Sequence, residues 1–194
     1  SRQLAAADAY PARVMTTMLH RERERRRRAL LDSVDEPRYL ELLDRMVDAA
    51  NHPRLLSPAD RPAREVLLDL ARVPFEWLMQ TVGELPVEPA DPDLHRIRIR
   101  AKRVRYAAEA VAPVVGKKAA RFAEAAARLQ DTLGDLQDST VAHEWLSAAA
   151  RNHPAVAFTA GQLAGLELVK AEAARAGWAA PWEELSRPKL RSWM

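Results

Sequence analysis

The chain has 194 residues, 48% of them hydrophobic, which is enough to bury the core of one domain or of two closely packed halves. It contains no cysteine, which excludes disulfides and thiolate chemistry, and no apolar run approaches the roughly 18 residues that span a bilayer. The formal net charge is only +3, so a polyanion-binding function would have to rest on local clusters of charge.

The composition favours helices along the whole chain. Strong helix formers (Ala, Leu, Arg and Glu) dominate it, and there are only six glycines. We therefore predict an all-α protein. Because the N-terminus carries no apolar signal-peptide segment, we expect a cytoplasmic protein that does not bind a membrane.

Three amphipathic segments predict helices in the first half of the chain. The first runs from about Ala5 or Pro11 to Leu31. The second lies in "DEPRYLELLDRMVDAA", with Asp35 as a candidate N-cap and Pro37 in the first turn. A third should run from near Pro62 to Thr81, and Pro74 is expected to end or kink it.

Four further helical segments follow the proline-rich linker "GELPVEPADPD". The first should start with Asp91 as N-cap and stop near Pro113 and Gly116. The next, "KKAARFAEAAARLQDTL", should end or bend at Gly134, and "DLQDSTVAHEWLSAAAR" should form another helix. The segment "PAVAFTAGQLAGLELVKAEAARAG" should close at Gly177, and "PWEELSRPKLRSWM" should add a short helix or a docked tail.

The helix after the linker carries an unusual concentration of positive charge. Within "LHRIRIRAKRVRYAAEA" there are six basic residues from Arg96 to Arg105, and no acid occurs before Glu109. At about 100° per residue, a polar stripe roughly 100° wide contains His95, Arg98, Lys102, Arg105 and Tyr106. An apolar stripe on the opposite side contains Ile97, Ala101, Val104 and Ala108.

This basic stripe indicates an anion-binding surface. Like charges repel along the helix, and a bound anion would remove that cost. The planar fork of arginine suits phosphate oxygens, which it can meet with two hydrogen bonds. The alternative is a solvated charged face. His95 could donate to a phosphate, or it could serve a structural role.

At these residues the sequence resembles the second signature of the CHAD domain, the conserved-histidine α-helical domain. The matching residues are His95, Arg98, Lys102, Arg105, Tyr106 and Glu109. A second matching segment, "LQDTLGDLQDSTVAHEWL", contains Leu129, Gln130, Leu133, Gly134, Asp138, Trp145 and Leu146. The stretch "PRYLELLDRM" resembles the helix between the family's two repeats.

The resemblance implies a helical bundle of the CHAD type with antiparallel helices, over residues 1–176, followed by a short helix or tail over 177–194. It also implies binding of inorganic polyphosphate in a basic channel between two repeats, and association with a triphosphate tunnel (CYTH) domain in the same or another chain. We find no first-repeat signature, because the segment around His20, Arg23 and Arg27 lacks its apolar pattern. The chain therefore resembles mostly the second repeat, and its bundle could be incomplete.

Two other basic groups are candidates for the same ligand. The apolar stripe of the first helix, continued through the arginine run, would turn Arg25, with Arg21 and Arg28 beside it, toward the inside of the bundle. The alternative is a solvated face with Glu22 and Glu24 as partners. Lys118 and Arg121 lie at one edge of their helix and could extend the binding surface or remain surface charges.

The alternative functions predict different sequence features. A nucleic-acid binder would explain the charge equally well, but it should interleave aromatic residues with the cations or expose a recognition helix. A metal-dependent polyphosphatase or triphosphatase needs carboxylates beside the cations, and only Glu109 and Asp138 are candidates. The five histidines show no metal-ligand spacing, and there is no glycine-rich phosphate loop. We therefore expect a non-catalytic protein without cofactor or metal.

Overall fold

Long helices follow one another along the whole described chain. The computed structural model describes the backbone of residues 2–194 and the side chains of 9–56 and 59–194. Within this range it contains no strand, which confirms the all-α prediction. The α-helices are α1 (Arg2–Val34), α2 (Pro37–Asn51), α3 (Ala63–Gly83), α4 (Asp91–Val115), α5 (Lys117–Asn152), α6 (Ala157–Gly177), α7 (Ala179–Ser186) and α8 (Pro188–Arg191).

Gly134 and Pro74, each expected to end or bend its helix, do not end it. Helix α5 continues through Gly134, because one glycine in a helix interior costs only about 1 kcal/mol and strong helix formers flank it. Helix α3 continues through Pro74. Phe75 and Leu78 beyond this proline are buried, so their packing offsets the backbone hydrogen bond that the proline cannot donate.

The predicted N-caps were each displaced by one residue. Helix α2 has Glu36 as its N-cap instead of Asp35, with Pro37 in the first turn as predicted. Helix α4 has Ala90 at this position, and the backbone N–H of Ala90 donates to the Asp93 carboxylate at 3.1 Å. The Asp93 carboxylate, in the first turn of α4, therefore takes part in capping this helix, where Asp91 had been expected to do so. Helix α4 ends before Gly116, and α6 ends at Gly177, as predicted.

The chain divides into two units. The first comprises Ser1–Ser57 and Leu146–Gln162. Its α1 packs against the short 3₁₀ turn Pro154–Val156, and α2 buries no side chain. The buried apolar side chains of this unit are Met15, Leu146, Ala149, Val156 and Ala160.

The second unit, Pro58–Trp145 and Leu163–Met194, contains the larger core. Helices α3 and α4 pack along each other, and the first part of α5 completes the centre of this core. The rings of Phe75 and Phe122 meet edge to face, with centroids 5.3 Å apart. The division of the chain into a helical domain over residues 1–176 and a tail over 177–194 stays a prediction.

The end of the chain is docked onto the core of the second unit. Leu185 in α7 is fully buried, and Trp193 stacks edge to face on Phe122 with centroids 5.7 Å apart. The segment predicted as a short helix or tail is therefore α7 and α8, packed in place by large apolar side chains. No helix in the described part of the chain is long and apolar enough to cross a bilayer.

Candidate functional site

Helix α4 has one side in the core and the opposite side exposed, as its sequence predicts. The apolar stripe is completely buried: Ile97, Ala101, Val104 and Ala108 all have 0% exposure. Because these residues anchor the helix, the side chains opposite them start from fixed backbone positions. The exposed or half-buried residues of this basic stripe are His95, Arg98, Lys102, Arg105 and Tyr106.

Helix α5 lies antiparallel beside α4 and supports the start of the basic stripe. With the Gln137 oxygen facing the ring, Nδ1 of His95 donates to Oε1 of Gln137 at 2.8 Å. One turn further along α4, Nε of Arg98 lies 3.7 Å from the position that a Cβ on Gly134 would occupy. The hydrogen bond orients the imidazole and leaves its Nε2 for another partner.

Arg98 carries an unsatisfied donor. Its Nε is buried and makes no hydrogen bond with the described residues. Because a ligand cannot reach a buried atom, the part of Arg98 that is available to an anion is the accessible remainder of its half-buried side chain. Gly134 leaves room for this part of the guanidinium, because any side chain would extend toward it.

Lys102, in the middle of the basic stripe, interacts with Tyr106 one turn further along α4. The Lys102 ammonium lies over the Tyr106 ring, 5.6 Å from its centroid, which is within the range of a cation–π interaction. In the described part of the chain, no carboxylate forms an ion pair with Lys102 or Arg98. Their charges therefore remain available to an anion.

The first and last arginines of the basic segment Arg96–Arg105 are partly neutralised by acidic neighbours. Arg105 donates from Nε to Glu109 at 2.7 Å, and this hydrogen bond, with the charges of Glu109 and Asp131, raises the pKa of Arg105. Arg96 similarly pairs with Asp93 at 2.6 Å. Both pairs are solvent-exposed and weak, so a stronger anion could compete for either arginine.

Of the two orientations considered for the arginine run of α1, the structure has the solvated face and not the inward one. Arg21, Arg25 and Arg28 are all exposed, and 73% of the Arg25 side chain is accessible. Arg25 and Arg26 donate to Glu22, and these hydrogen bonds lower the pKa of the Glu22 carboxyl. The apolar pattern ends before the run, and Arg21, Arg25 and Arg28 lie on an exposed face of α1.

Lys118 and Arg121 lie apart from the basic stripe. On α5 Arg121 is about 160° around the helix from Gln137, the residue that contacts His95. Lys118 and Arg121 instead line a cavity with residues of α7 and α8. The structure therefore brings together five of the predicted residues on α4 and places these two at another surface of the second unit.

The two carboxylates that a hydrolase would need are far apart. Glu109 pairs with Arg105, whereas Asp138 lines a cavity between α5 and α6 with Lys170. Helices α4 and α5 run antiparallel, with His95 opposite Gln137. The part of α5 that lies opposite Glu109 is therefore about 22 Å from Asp138 along the helix axis. Among the described residues, no group of three or more ligand side chains is placed to hold a metal.

Sequence reasoning missed Gln137. Its contact with His95 joins residues 42 positions apart, so no local pattern could reveal it. A signal was nevertheless present, because "LQDTLGDLQD" repeats Leu-Gln after seven residues and places Gln130 and Gln137 on one face of α5. Oε1 of Gln130 is also buried without a hydrogen-bond partner among the described residues.

Gly134→Ala should raise the free energy of unfolding by about 0.5–1 kcal/mol, because alanine favours the helix interior. The new Cβ would make an ordinary contact with Arg98 Nε. Urea denaturation measures the change. Gly165→Ala in α6, where a Cβ meets nothing within 4 Å, is the matched control and should give a similar gain. A loss of stability in Gly134→Ala alone would contradict the position assigned to Arg98.

Comparison with known proteins identifies the family. No curated protein sequence matches the chain closely enough to indicate a relative. A family model, described as the CHAD domain, matches residues 2–147, which is most of the chain. The match includes α1 and α2 as well as the basic stripe of α4. The chain belongs to the CHAD domain family.

Proposed function

We propose that the protein binds inorganic polyphosphate without catalysis, through the basic stripe of α4. The observation that carries this proposal is that the half-buried Arg98 and the exposed Lys102 lie one turn apart on α4 and that neither forms an ion pair with a described carboxylate. Membership of the CHAD family, which is associated with polyphosphate binding, supports the same ligand. The proposed contacts are made by His95, Arg98, Lys102, Arg105 and Tyr106.

The chemistry of the basic stripe suits a chain of phosphates without bases. Phosphate oxygens can accept charge-assisted hydrogen bonds from Arg98 and Lys102, and His95 lies next to them at the start of the basic stripe. Tyr106 is the only aromatic residue of the stripe, and its ring already contacts Lys102. Because single-stranded nucleic acids rely on stacking, this arrangement favours polyphosphate over nucleic acid.

Absence of catalysis is part of the proposal. Phosphoryl hydrolysis usually requires carboxylates that hold Mg²⁺ beside the reacting phosphate. Glu109 is engaged by Arg105, and Asp138 lies at a distant level of α5, which supports binding rather than hydrolysis. A CYTH domain, in the same or another chain, is the proposed protein partner, and it would supply such chemistry separately.

The double variant Arg98→Ala/Lys102→Ala should bind long-chain polyphosphate about a hundredfold more weakly than the wild type. Each removed cation deletes a charge-assisted interaction that contributes roughly tenfold or more to the affinity. Isothermal titration calorimetry at fixed salt measures the change. Thermal unfolding should be little affected, because both side chains lie opposite the buried stripe.

Arg64→Ala/Arg151→Ala is the matched control, since it also removes two positive charges from exposed helical positions. It should retain nearly wild-type affinity. Equal affinities of the two double variants would refute the assignment of the site. Displacement of polyphosphate by DNA at equal phosphate concentration would instead support the nucleic-acid alternative, and phosphate release with Mg²⁺ or Mn²⁺ would support the enzyme.

A further inference from the structure

Helix α2 presents an apolar face that the described part of the first unit leaves exposed. None of the side chains of this helix is buried. Its large exposed apolar residues are Leu40 (57%), Leu42 (50%), Leu43 (40%), Met46 (60%) and Val47 (60%). A helix of 15 residues is marginal in water unless one of its faces is packed, so α2 needs a partner surface.

The apolar residues of α2 all lie on one half of the helix. At about 100° per residue, they occupy an arc of about 180°, with Met46 and Ala50 near its centre. The other members are Tyr39, Leu40, Leu42, Leu43, Val47 and Ala49. This apolar face exposes on the order of 500 Å², which is as much as the largest apolar patches of monomeric proteins, and such patches mark interaction sites.

The two edges of the apolar face of α2 carry opposite charges. Arg38 and Arg45 lie about 110° and 130° to one side of its centre, and Asp44 lies about 130° to the other side. All three residues are exposed, and none of them forms an ion pair with another described residue. The face is therefore bordered by a basic edge and an acidic edge whose charges are both available to a partner.

We propose that the apolar face of α2 is a dimerisation surface, which binds α2 of a second copy of this chain in parallel orientation. In a parallel pair related by a twofold axis, the acidic edge of each helix faces the basic edge of the other. Asp44 of one copy can then pair with Arg45 of the other. An antiparallel pair would instead bring edges of like charge together, so the charges of α2 favour the parallel arrangement.

The size of the apolar face is sufficient for a weak dimer. Two such faces would bury on the order of 1,000 Å² in total, which reaches the lower limit of specific interfaces. A lipid surface is a poorer occupant, because α2 has three acids and two arginines, whereas helices that lie on membranes are rich in lysine and arginine. Since the basic stripe of α4 belongs to the second unit, this proposal does not depend on polyphosphate binding.

Sedimentation velocity of the whole chain measures this association. An interface of this size is expected to be weak, so the wild type should shift from monomer to dimer between about 1 and 100 µM. Leu43→Asp/Met46→Asp should remain monomeric over the same range, because its dimer would have to bury four carboxylates without partners. Both replaced residues are exposed, so this variant should melt at the same temperature as the wild type at concentrations where the wild type is monomeric.

Leu166→Asp/Val169→Asp is the matched control. It makes the same change at two exposed apolar residues of α6, which are 59% and 63% accessible and belong to the second unit. This control should dimerise like the wild type. Identical association of the two double variants would overturn the proposal. A wild type that stays monomeric at every concentration would also overturn it, and would leave the apolar face of α2 to a different protein.

Cysteine cross-linking tests the parallel orientation. The chain has no cysteine, so single replacements give unambiguous products. Leu43→Cys and Ala50→Cys should each form a disulfide-linked dimer on oxidation, because a parallel pair places equal positions opposite each other within disulfide reach. Glu41→Cys, on the polar side of α2, is the control and should stay uncrosslinked. Linkage only in a mixture of Leu43→Cys with Ala50→Cys would show an antiparallel pair and overturn the proposed arrangement.

Discussion

Replacing Phe122 by alanine should lower the free energy of unfolding by about 3–5 kcal/mol. The ring is fully buried and makes two edge-to-face contacts, with Phe75 at 5.3 Å and with Trp193 at 5.7 Å between centroids. The variant loses the transfer energy of the ring and leaves a cavity that its neighbours cannot fill completely. Guanidinium denaturation followed by far-ultraviolet circular dichroism measures the change.

Phe158→Ala is the matched control for this prediction. Phe158 is 78% exposed on the first unit, so its removal should change the free energy of unfolding by less than about 0.5 kcal/mol. A Phe122 variant as stable as the control would contradict the described core. Because Trp193 loses its aromatic partner, hydrogen exchange near the chain end should also accelerate in Phe122→Ala but not in the control.

The dependence of polyphosphate affinity on salt should change strongly when two cations of the basic stripe are removed. Binding to a linear polyanion releases condensed counterions, with a contribution of about 0.7 to the log–log slope per cation for single strands. Applied to polyphosphate, Arg98→Ala/Lys102→Ala should flatten the slope by about 1.4. A tenfold rise in salt should then weaken the wild type about 25 times more than the variant.

Titrations at several salt concentrations measure this slope directly. The control Arg64→Ala/Arg151→Ala has the same net charge as the double variant, so any general effect of charge is common to both. Its slope should equal that of the wild type. An identical slope in all three proteins would mean that Arg98 and Lys102 do not contact the polyanion, whatever their effect on stability.

The buried and exposed sides of α4 could be predicted, because they depend only on the residues of this one helix. Its apolar residues repeat every three or four positions, and each of Ile97, Ala101 and Val104 is buried. The opposite stripe then follows from helix geometry alone. For Arg25 the sequence left two orientations open, because the apolar pattern had already ended, and the structure has the solvated one, in which Arg25 pairs with Glu22.

Features that depend on distant parts of the chain could not be predicted. Gly134 was expected to end or bend its helix, and the helix does not end there, because buried neighbours such as Leu133 and Leu136 hold it in the core. Arg187 and Lys189 line one cavity with Lys118 and Arg121, and Trp193 docks this end of the chain on the core. The charged residues of this cavity can be read from the sequence, but the contact of Trp193 with Phe122 that brings them to one place cannot.

The spacing of the cations on α4 bears on how affinity depends on the length of a polymeric ligand. Arg98, Lys102 and Arg105 follow one another at intervals of about one turn and extend over about 10 Å of the helix axis. A polymer of identical units can be shifted by one unit and still meet the same row, so longer molecules have more equivalent alignments. Avidity for such a polymer would therefore grow with its length through the number of alignments, even when the number of simultaneous contacts stays constant.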